Sequence, residues 1–399
     1  MPPVLSEPLR GDGRDGPEDD GPARFNVMAQ GSAVTAVNEM LQLAVRLGAS
    51  DVHCEPGPDG LRVRFRIDGR LRTVGTLPPA LKEGVLTRLK VLARLDVAER
   101  RLPQDGRFSL SADGYGDCDV RASTLPTLTG EKAVLRVVAR ASLAQTFESL
   151  GFDADGAEAF RRHLQRPWGL VLVTGPTGSG KTSTLYAALQ LLATPDRHII
   201  TVEDPVERAL PGVTQVAVRE SIGLGFAAVL RASLRQDPDI MLVGEIRDAE
   251  TASVAMQAAL TGHLVLATLH TTDAPGAPAR LLDMGVPPFL VAGSLTVVCA
   301  QRLVRRRCPQ CRPADAERCA RCRQTGYHGR TGLFELMTMS EALRALVMQR
   351  ASAQQLRRQA LAEGMVSLRH SGLQRVADGV TSLEEVWRET ADDGAAGDA

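Results

Sequence analysis

The run Leu170-Val-Leu-Val173, followed by Gly175-Pro-Thr-Gly-Ser-Gly-Lys181-Thr182, constrains this chain more than any other stretch. A continuous apolar tetrapeptide is what a central parallel strand requires when both of its faces are buried. The glycines after it fit G-x-x-x-x-G-K-[ST], a loop whose backbone N–H groups cradle nucleotide phosphates at the start of a helix. Strand, loop and the helical stretch Thr182–Leu192 together predict an α/β layer. Lys181 is also the one lysine between Ala133 and Ala399; the others are Lys82, Lys90 and Lys132, and arginine carries almost all the remaining positive charge. A lysine kept where arginine is the habit marks a position that needs a compact ammonium rather than a planar fork.

Further buried runs at Ile199–Val202, Ile240–Val243 and Leu264–Leu269 alternate with helical stretches, which extends the layer into a mostly parallel sheet. Upstream, the apolar spacing from Val34 to Leu47 predicts a helix ending at Gly48. Leu61-Arg-Val-Arg-Phe-Arg-Ile67 alternates like a half-buried strand, Asp68-Gly69 forms a turn, and Lys132–Val138 reads as another strand. The pattern divides the chain into a disordered tail (1–28), an N-terminal α+β domain (29–140), a linker (141–156) and an α/β core (157–300). A small cysteine module (301–330), a C-terminal helical region (331–390) and an acidic tail (391–399) follow.

Formal charge is zero, so there is no bulk attraction to nucleic acid or membrane. No apolar run reaches the roughly 18 residues of a membrane span; Phe289–Ala300 comes nearest. The N-terminus lacks the basic and apolar regions of a signal peptide. Scattered Cys54, Cys118 and Cys299 suit a reducing cytosol. Cys308, Cys311, Cys319 and Cys322, in contrast, form a CxxC–x7–CxxC pattern suited to tetrahedral zinc.

The candidate nucleotide ligands are Gly175, Pro176, Thr177, Gly178, Ser179, Gly180, Lys181, Thr182 and Ser183. Lys181 would bridge the β- and γ-phosphates of ATP and Thr182 would ligate Mg²⁺. Gly244 stands where many such enzymes place a metal-supporting aspartate, which leaves Glu245 to orient or deprotonate the attacking water. Glu203, Asp204 and Glu207 are candidates to assist with the metal. His270 lies at the carboxyl end of a core strand, where ligands bind in open α/β sheets, and could sense the γ-phosphate; His263 flanks the same strand.

Four segments occur in order: Gly175–Thr182, Thr201-Val-Glu-Asp-Pro-Val-Glu207, Ile240–Asp248, and Thr261-Gly-His263 through His270-Thr-Thr-Asp273. They resemble the Walker A, Asp box, atypical Walker B and His box of the secretion-superfamily ATPases. Ala49-Ser-Asp-Val-His53-Cys-Glu-Pro56, Arg64–Gly69, Arg101–Arg107 and Arg121–Pro126 with Gly130–Arg136 resemble that family's second N-terminal domain. The resemblance spans about residues 35–388. It implies a RecA-like P-loop ATPase domain with an N-terminal α+β (PAS-like) domain, a small zinc module and C-terminal helices. Tetracysteine modules mark the type II secretion and type IV pilus assembly ATPases, and retraction ATPases lack them. The spacer between the CxxC pairs is shorter here than is usual in the family.

The resemblance further implies that Arg107 and Arg121 reach the nucleotide, with Arg231, Arg235, Arg247 and Arg280 at the site or at subunit contacts. Arg231 and Arg235 share a helical face by their spacing. The implied protein is a cytoplasmic homo-hexamer, peripheral to the inner membrane, that hydrolyses ATP to drive pseudopilus assembly in type II secretion. A type IV pilus assembly ATPase is the alternative. Its partners would be inner-membrane platform and docking proteins, with acidic phospholipid a further candidate through the arginines of 302–330. The family's further N-terminal docking domain has no counterpart in residues 1–28. A nucleic-acid translocating motor is disfavoured, because no aromatic stacking platform accompanies the arginines.

Overall fold

Alternation of apolar and charged residues dictates the first half of the chain, and continuous apolar runs dictate the second. The structure, a computed structural model, describes residues 32–112, 116–139, 145–311, 316–317 and 319–390. The expected tails 1–28 and 391–399, and residues 141–144 of the expected linker, lie outside the described residues. Contacts divide the described residues into two compact units. One falls within Met1–Leu143 and Cys308–Gly329, the other within Ala144–Arg307 and Arg330–Ala399.

The first unit runs α1 (Ala33–Arg46), β1 (Ala49–Gly57), β2 (Gly60–Ile67), β3 (Arg70–Leu77), α2 (Pro79–Ala93), β4 (Gln104–Ala112), β5 (Gly116–Thr127) and β6 (Gly130–Ala139). Its strands form one sheet in the order β3-β2-β1-β6-β5-β4, with β1 antiparallel to β2 and β6. Val52, Cys54, Val63, Phe65, Val120 and Leu135 pack with α1 and α2 into one core. The alternate residues of the same strands carry charge. Glu55 meets Arg64 at 2.6 Å, Arg62 at 3.0 Å and Lys132 at 3.0 Å. Burial pushes the Glu55 carboxyl up, but hydrogen bonds from these three cations outweigh it and hold it at about 2.

One ion pair of this unit is deeply buried: Lys90 on α2 meets Glu131 on β6 at 2.6 Å, and its ammonium also donates to the Glu99 carbonyl. Lys90→Met would leave Glu131 buried without its counter-charge, so it is expected to destabilise the unit by about 3–5 kcal/mol. Urea unfolding reads this directly. An unchanged midpoint would contradict the pairing, whereas adding Glu131→Leu should restore much of the loss.

The second unit begins with α3 (Phe147–Leu150) and α4 (Ala154–Leu164). Residues 145–156, expected as linker, therefore carry a short helix, and Phe147 and Phe152 pack against Phe160. The core follows as β7 (Gly169–Thr174), α5 (Lys181–Leu192), β8 (Ile199–Glu203), β9 (Thr214–Ala217), α6 (Phe226–Ser233), β10 (Ile240–Val243), α7 (Ala249–Leu260) and β11 (Leu264–Leu269). Next come α8 (Gly276–Asp283), α9 (Pro288–Ser294), β12 (Leu295–Arg307) and β13 (Tyr327–Thr338). The sheet order is β13-β12-β7-β11-β10-β8-β9, and β12, β7, β11, β10, β8 and β9 run parallel.

Alternate residues of the central strands enter opposite cores. Leu170, Leu172, Met241, Val243, Val265 and Ala267 pack with α6 to α9. Val171, Val173, Ile240, Leu242, Leu264 and Leu266 pack with α4 and α5. Helices on both faces are why these strands read as unbroken apolar runs. Phe289–Ala300, the most membrane-like run in the sequence, is split between α9 and the buried start of β12. No helix among the described residues is long and apolar enough to cross a membrane.

The expected helical pattern from Ser340 onward resolves into α10 (Glu341–Met348), α11 (Ala353–Ala362), α12 (Leu368–Ala377) and α13 (Leu383–Glu389). Ser340, Ser352, Ser367 and Ser382 cap them, each accepting the N–H three residues on. β12 itself continues past residue 300 to Arg307, so the first residues of the expected cysteine module belong to the sheet. Its basic end is matched by fully buried Glu385, which accepts from Arg305 at 2.6 Å and from Arg388.

Candidate functional site

Six parallel strands deliver their carboxyl ends to one edge of the second unit's sheet. From β7 the chain enters the phosphate loop, where Gly175, Gly178 and Gly180 take φ of 148°, 80° and 91°. Only glycine adopts such angles freely. A Cβ on Gly175 would also stand 2.5 Å from the Gln301 carbonyl and 2.6 Å from Ser179 Oγ. The helix α5 starts at Lys181, so the N–H groups of the loop lie at a helix N-terminus. Ser179 Oγ is buried with no hydrogen-bond partner among the described residues. Positive-φ glycines, a helix N-terminus and an orphaned hydroxyl are a donor set that fits nucleotide phosphates.

Lys181 is buried and donates to the carbonyls of Gly175 at 2.7 Å and Pro176 at 3.0 Å. Burial lowers its ammonium to about 8; Glu245 opposes the shift and Arg302 adds to it. Thr182 and Ser183 occupy the first turn of α5, with Thr182 exposed.

Glu245 follows β10 and is pinned from both sides. Gly244 N–H donates to the Val202 carbonyl of β8 at 2.8 Å, and Ile246 N–H donates to the Thr268 carbonyl of β11 at 2.9 Å. Thr268 Oγ1 donates to the Gly244 carbonyl at 2.6 Å. The Glu245 carboxylate meets His270 Nε2 at 3.4 Å and accepts from Arg247, which pairs with Asp204 at 3.4 Å. A Cβ on Gly244 would lie 3.1 Å from the Val202 carbonyl and 3.2 Å from Glu203 Cα. A side chain there would need the end of β8 to give by a few tenths of an ångström.

The acidic trio after β8 divides in an unexpected way. Glu203 is buried, and its carboxylate accepts from Tyr186, from Thr201 at 2.6 Å and from Gln215 at 3.0 Å. It ties α5 to β8 and β9 and does not present a free oxygen to solvent. Burial and the Glu203 carboxylate push the Tyr186 hydroxyl up. Asp204 is exposed and pairs with Arg247, and Glu207 N–H donates to the Tyr186 hydroxyl at 3.3 Å.

The two histidines are also separated. His270 stands at the carboxyl end of β11 beside Glu245, whereas His263 precedes that strand and contacts the Ala258 carbonyl at 3.0 Å. Arg231 pairs with Glu250 at 2.7 Å, and Arg235 donates to the Arg231 carbonyl. Because α6 ends at Ser233, Arg235 lies beyond it, and the helical face expected from their spacing does not reach that far. Arg280 sits in the last turn of α8. Arg107 and Arg121 are register partners on β4 and β5 of the first unit.

Sequence reasoning missed Thr174 and Thr271. Thr271 N–H donates to Thr174 Oγ1 at 2.9 Å, and the two hydroxyls lie 2.6 Å apart, which ties the His270 segment to the start of the phosphate loop. The available signal was a threonine at the end of each core strand. Gln301, behind the loop, carried no local signal.

In the first unit the four cysteines converge. Cys308 Sγ lies 3.8 Å from Cys319 Sγ and Cys311 Sγ lies 3.6 Å from Cys322 Sγ, with all four sulfurs within 4.8 Å of one another. Tetrahedral zinc with Zn–S bonds of about 2.3 Å places sulfurs about 3.8 Å apart, so the quartet fits the ion despite the short spacer. Gly326 N–H donates to Cys322 Sγ at 3.3 Å, the outer support that a metal thiolate uses.

With this geometry in view, comparison with known proteins gives a consistent picture. The model of the family described as Type II/IV secretion system protein matches residues 27–388. The chain is 48% identical over 385 residues to the type IV pilus assembly ATPase PilB of Myxococcus xanthus, covering 90% of this chain and 68% of that protein. It is 50% identical over 364 residues to the type II secretion system protein HxcR of Pseudomonas aeruginosa, covering 90% and 77%. The crystal structure of the pilus retraction motor PilT with bound ADP aligns at a TM-score of 0.61 and 27% identity, over 89% of this chain and 97% of that one. The Legionella pneumophila ATPase DotB shares the fold at a TM-score of 0.69 and 20% identity, over 89% and 95%.

Proposed function

Because the chain belongs to the type II/IV secretion system protein family, we propose that it hydrolyses ATP to ADP and phosphate to drive pseudopilus assembly in type II secretion. It would work as a ring hexamer at the cytoplasmic face of the inner membrane, against platform and docking proteins there. The observation that carries the chemistry is the juxtaposition of the phosphate loop with the Glu245–His270 pair at one sheet edge. Pilus extension is the second reading, favoured by the 48% identity to the pilus assembly relative. The tetracysteine cluster supports either assembly role over retraction.

In the proposed reaction the loop N–H groups and Lys181 hold the β- and γ-phosphates. Magnesium, held by Thr182, would neutralise phosphate charge. Glu245 aligns a water for in-line attack on the γ-phosphorus and takes its proton as the new P–O bond forms and the bond to the β-phosphate oxygen breaks. His270 and Arg247 hold the carboxylate in place. Glu203 acts through Tyr186, fixing α5 rather than touching the nucleotide. Arg107 and Arg121 supply positive charge to the transition state, as the resemblance implies.

Phosphate release by the purified protein tests this reading. Stimulation by the cytoplasmic part of a membrane partner is expected. Stimulation by DNA alone would overturn it. Loss of extracellular enzyme secretion in a deletion strain separates pseudopilus assembly from pilus extension, which would instead abolish surface piliation.

A pH dependence follows from Lys181. Its ammonium, at about 8 in the folded protein against an ordinary value of 10.5, is disfavoured by burial. The stability cost is therefore present below about pH 8 and is relieved as pH rises toward 10.5. Bound phosphates favour the charged form, so binding above pH 8 takes up a proton. ATP affinity should be flat below about pH 8 and fall by up to about tenfold per pH unit above it. Titration calorimetry in buffers of different ionisation enthalpy reads both the affinity and the proton. Affinity that stays level to about pH 9.5 would contradict the assignment.

A further inference from the structure

Gln301 lies on β12, one residue beyond Ala300, which is the register partner of Thr174 on β7. That places it beside the first residue of the phosphate loop. Its carbonyl occupies the space a Gly175 side chain would need, at 2.5 Å, and its Nε2 occupies the space a Gly180 side chain would need, at 2.7 Å. The same residue therefore touches the loop where it begins and where it ends. Its Oε1 accepts from Thr184 Oγ1 at 2.8 Å, and Thr184 N–H in turn donates to the Gly180 carbonyl at 3.2 Å. Gln301 is 1% exposed, and Nε2 has no hydrogen-bond partner among the described residues.

A buried donor without an acceptor is unfavourable, and a residue needed only for packing would be apolar. Thr184, itself fully buried, fixes the amide so that its donor end faces Gly180. We infer that Gln301, braced by Thr184, is a positioning residue for nucleotide binding and that the Gln301 Nε2 supplies a donor to the loaded phosphate loop. It acts on the loop and not on the attacking water, so it should strengthen binding of substrate and transition state alike. Such uniform binding appears in KM and leaves kcat nearly unchanged. The inference rests on the proposed ATP site and adds to it a residue from a strand that none of the nucleotide motifs includes.

The test compares three variants by equilibrium binding of ATP and ADP and by steady-state hydrolysis. Gln301→Leu should weaken binding and raise KM by about 3- to 10-fold, the loss of one donor to a neutral acceptor of the loop, with kcat nearly unchanged. Gln301→Glu keeps an oxygen for Thr184 and exchanges the donor for a carboxylate, so it should weaken binding at least as much. Thr184→Val frees the amide to rotate and should shift KM the same way by a smaller factor. Wild-type KM in Gln301→Glu would overturn the inference, since the residue would then serve only as an acceptor for Thr184. A drop in thermal stability with unchanged KM would overturn it too. Should Gln301→Glu not fold, unchanged KM in Thr184→Val would overturn it equally. A wild-type protein that neither binds nor hydrolyses ATP would instead remove the reading on which the inference stands.

Discussion

Glu245→Gln is expected to lower ATP turnover by about 10²–10⁴-fold while leaving ATP binding close to wild type. The amide keeps the shape of the side chain and can still contact His270 and Arg247, but it cannot accept the proton of the attacking water. Removing an interaction made only in the transition state lowers kcat and kcat/KM together. The contrast with Glu203 sharpens the expectation. Its carboxylate is buried among Tyr186, Thr201 and Gln215, so Glu203→Gln should act through the position of α5. It should lower thermal stability as well as activity. Phosphate-release kinetics beside nucleotide affinity, measured for both variants, separates the two roles. Glu203→Gln showing the larger loss of kcat at unchanged stability would exchange the assignments.

The second large effect concerns the cysteine quartet. Metal analysis of the purified protein should find about one zinc per chain, and Cys311→Ser should reduce it to near zero. Structural zinc sites of this type contribute apparent binding energies of about 10–16 kcal/mol in small peptides at neutral pH. Among the described residues of Cys308–Gly329, Cys308 and Cys322 are the buried apolar members. Metal removal should therefore unfold the segment locally and let trypsin cut after Arg321 and Arg323, whose backbone is held by the folded segment when metal is bound. The protein should lose zinc more readily as pH falls, because protons compete for the thiolates. Trypsin resistance that survives a strong chelator would show that the sulfurs hold no structural metal.

How much of this was legible in the sequence follows from what holds each element. β10 and β11 could be read to the residue, since both faces of each are buried and the apolar run ends where burial ends. β1 and β4 could not. Ala49–Gly57 contains Asp51, His53, Glu55 and Pro56, and it is a strand because neighbouring cations on β2 and β6 neutralise its acids. No local pattern reports such pairs. β12 was obscured in the same way: its far half is rich in arginine, and Arg305 is matched by Glu385, 80 residues later.

The candidate site shows the same division. The glycine loop, Lys181, Glu245 and the four cysteines are legible because their chemistry needs fixed spacing along the chain. The burial of Glu203, the distance of His263 from the nucleotide edge and the position of Gln301 depend on which strands lie side by side. Sequence names the acids near a strand end; packing decides which of them keeps a reactive oxygen.

The proposed reaction requires Lys181 to bind the nucleotide and Glu245 to drive its cleavage. A single-turnover experiment tests it most directly. Wild type, Glu245→Gln and Lys181→Ala are loaded with ATP and magnesium, separated from free nucleotide, and the bound nucleotide is identified over time. Conversion to ADP is expected in the wild type, persistent ATP in Glu245→Gln and almost no retained nucleotide in Lys181→Ala. ADP forming in Glu245→Gln at the wild-type rate, or ATP held by Lys181→Ala as tightly as by wild type, would contradict it.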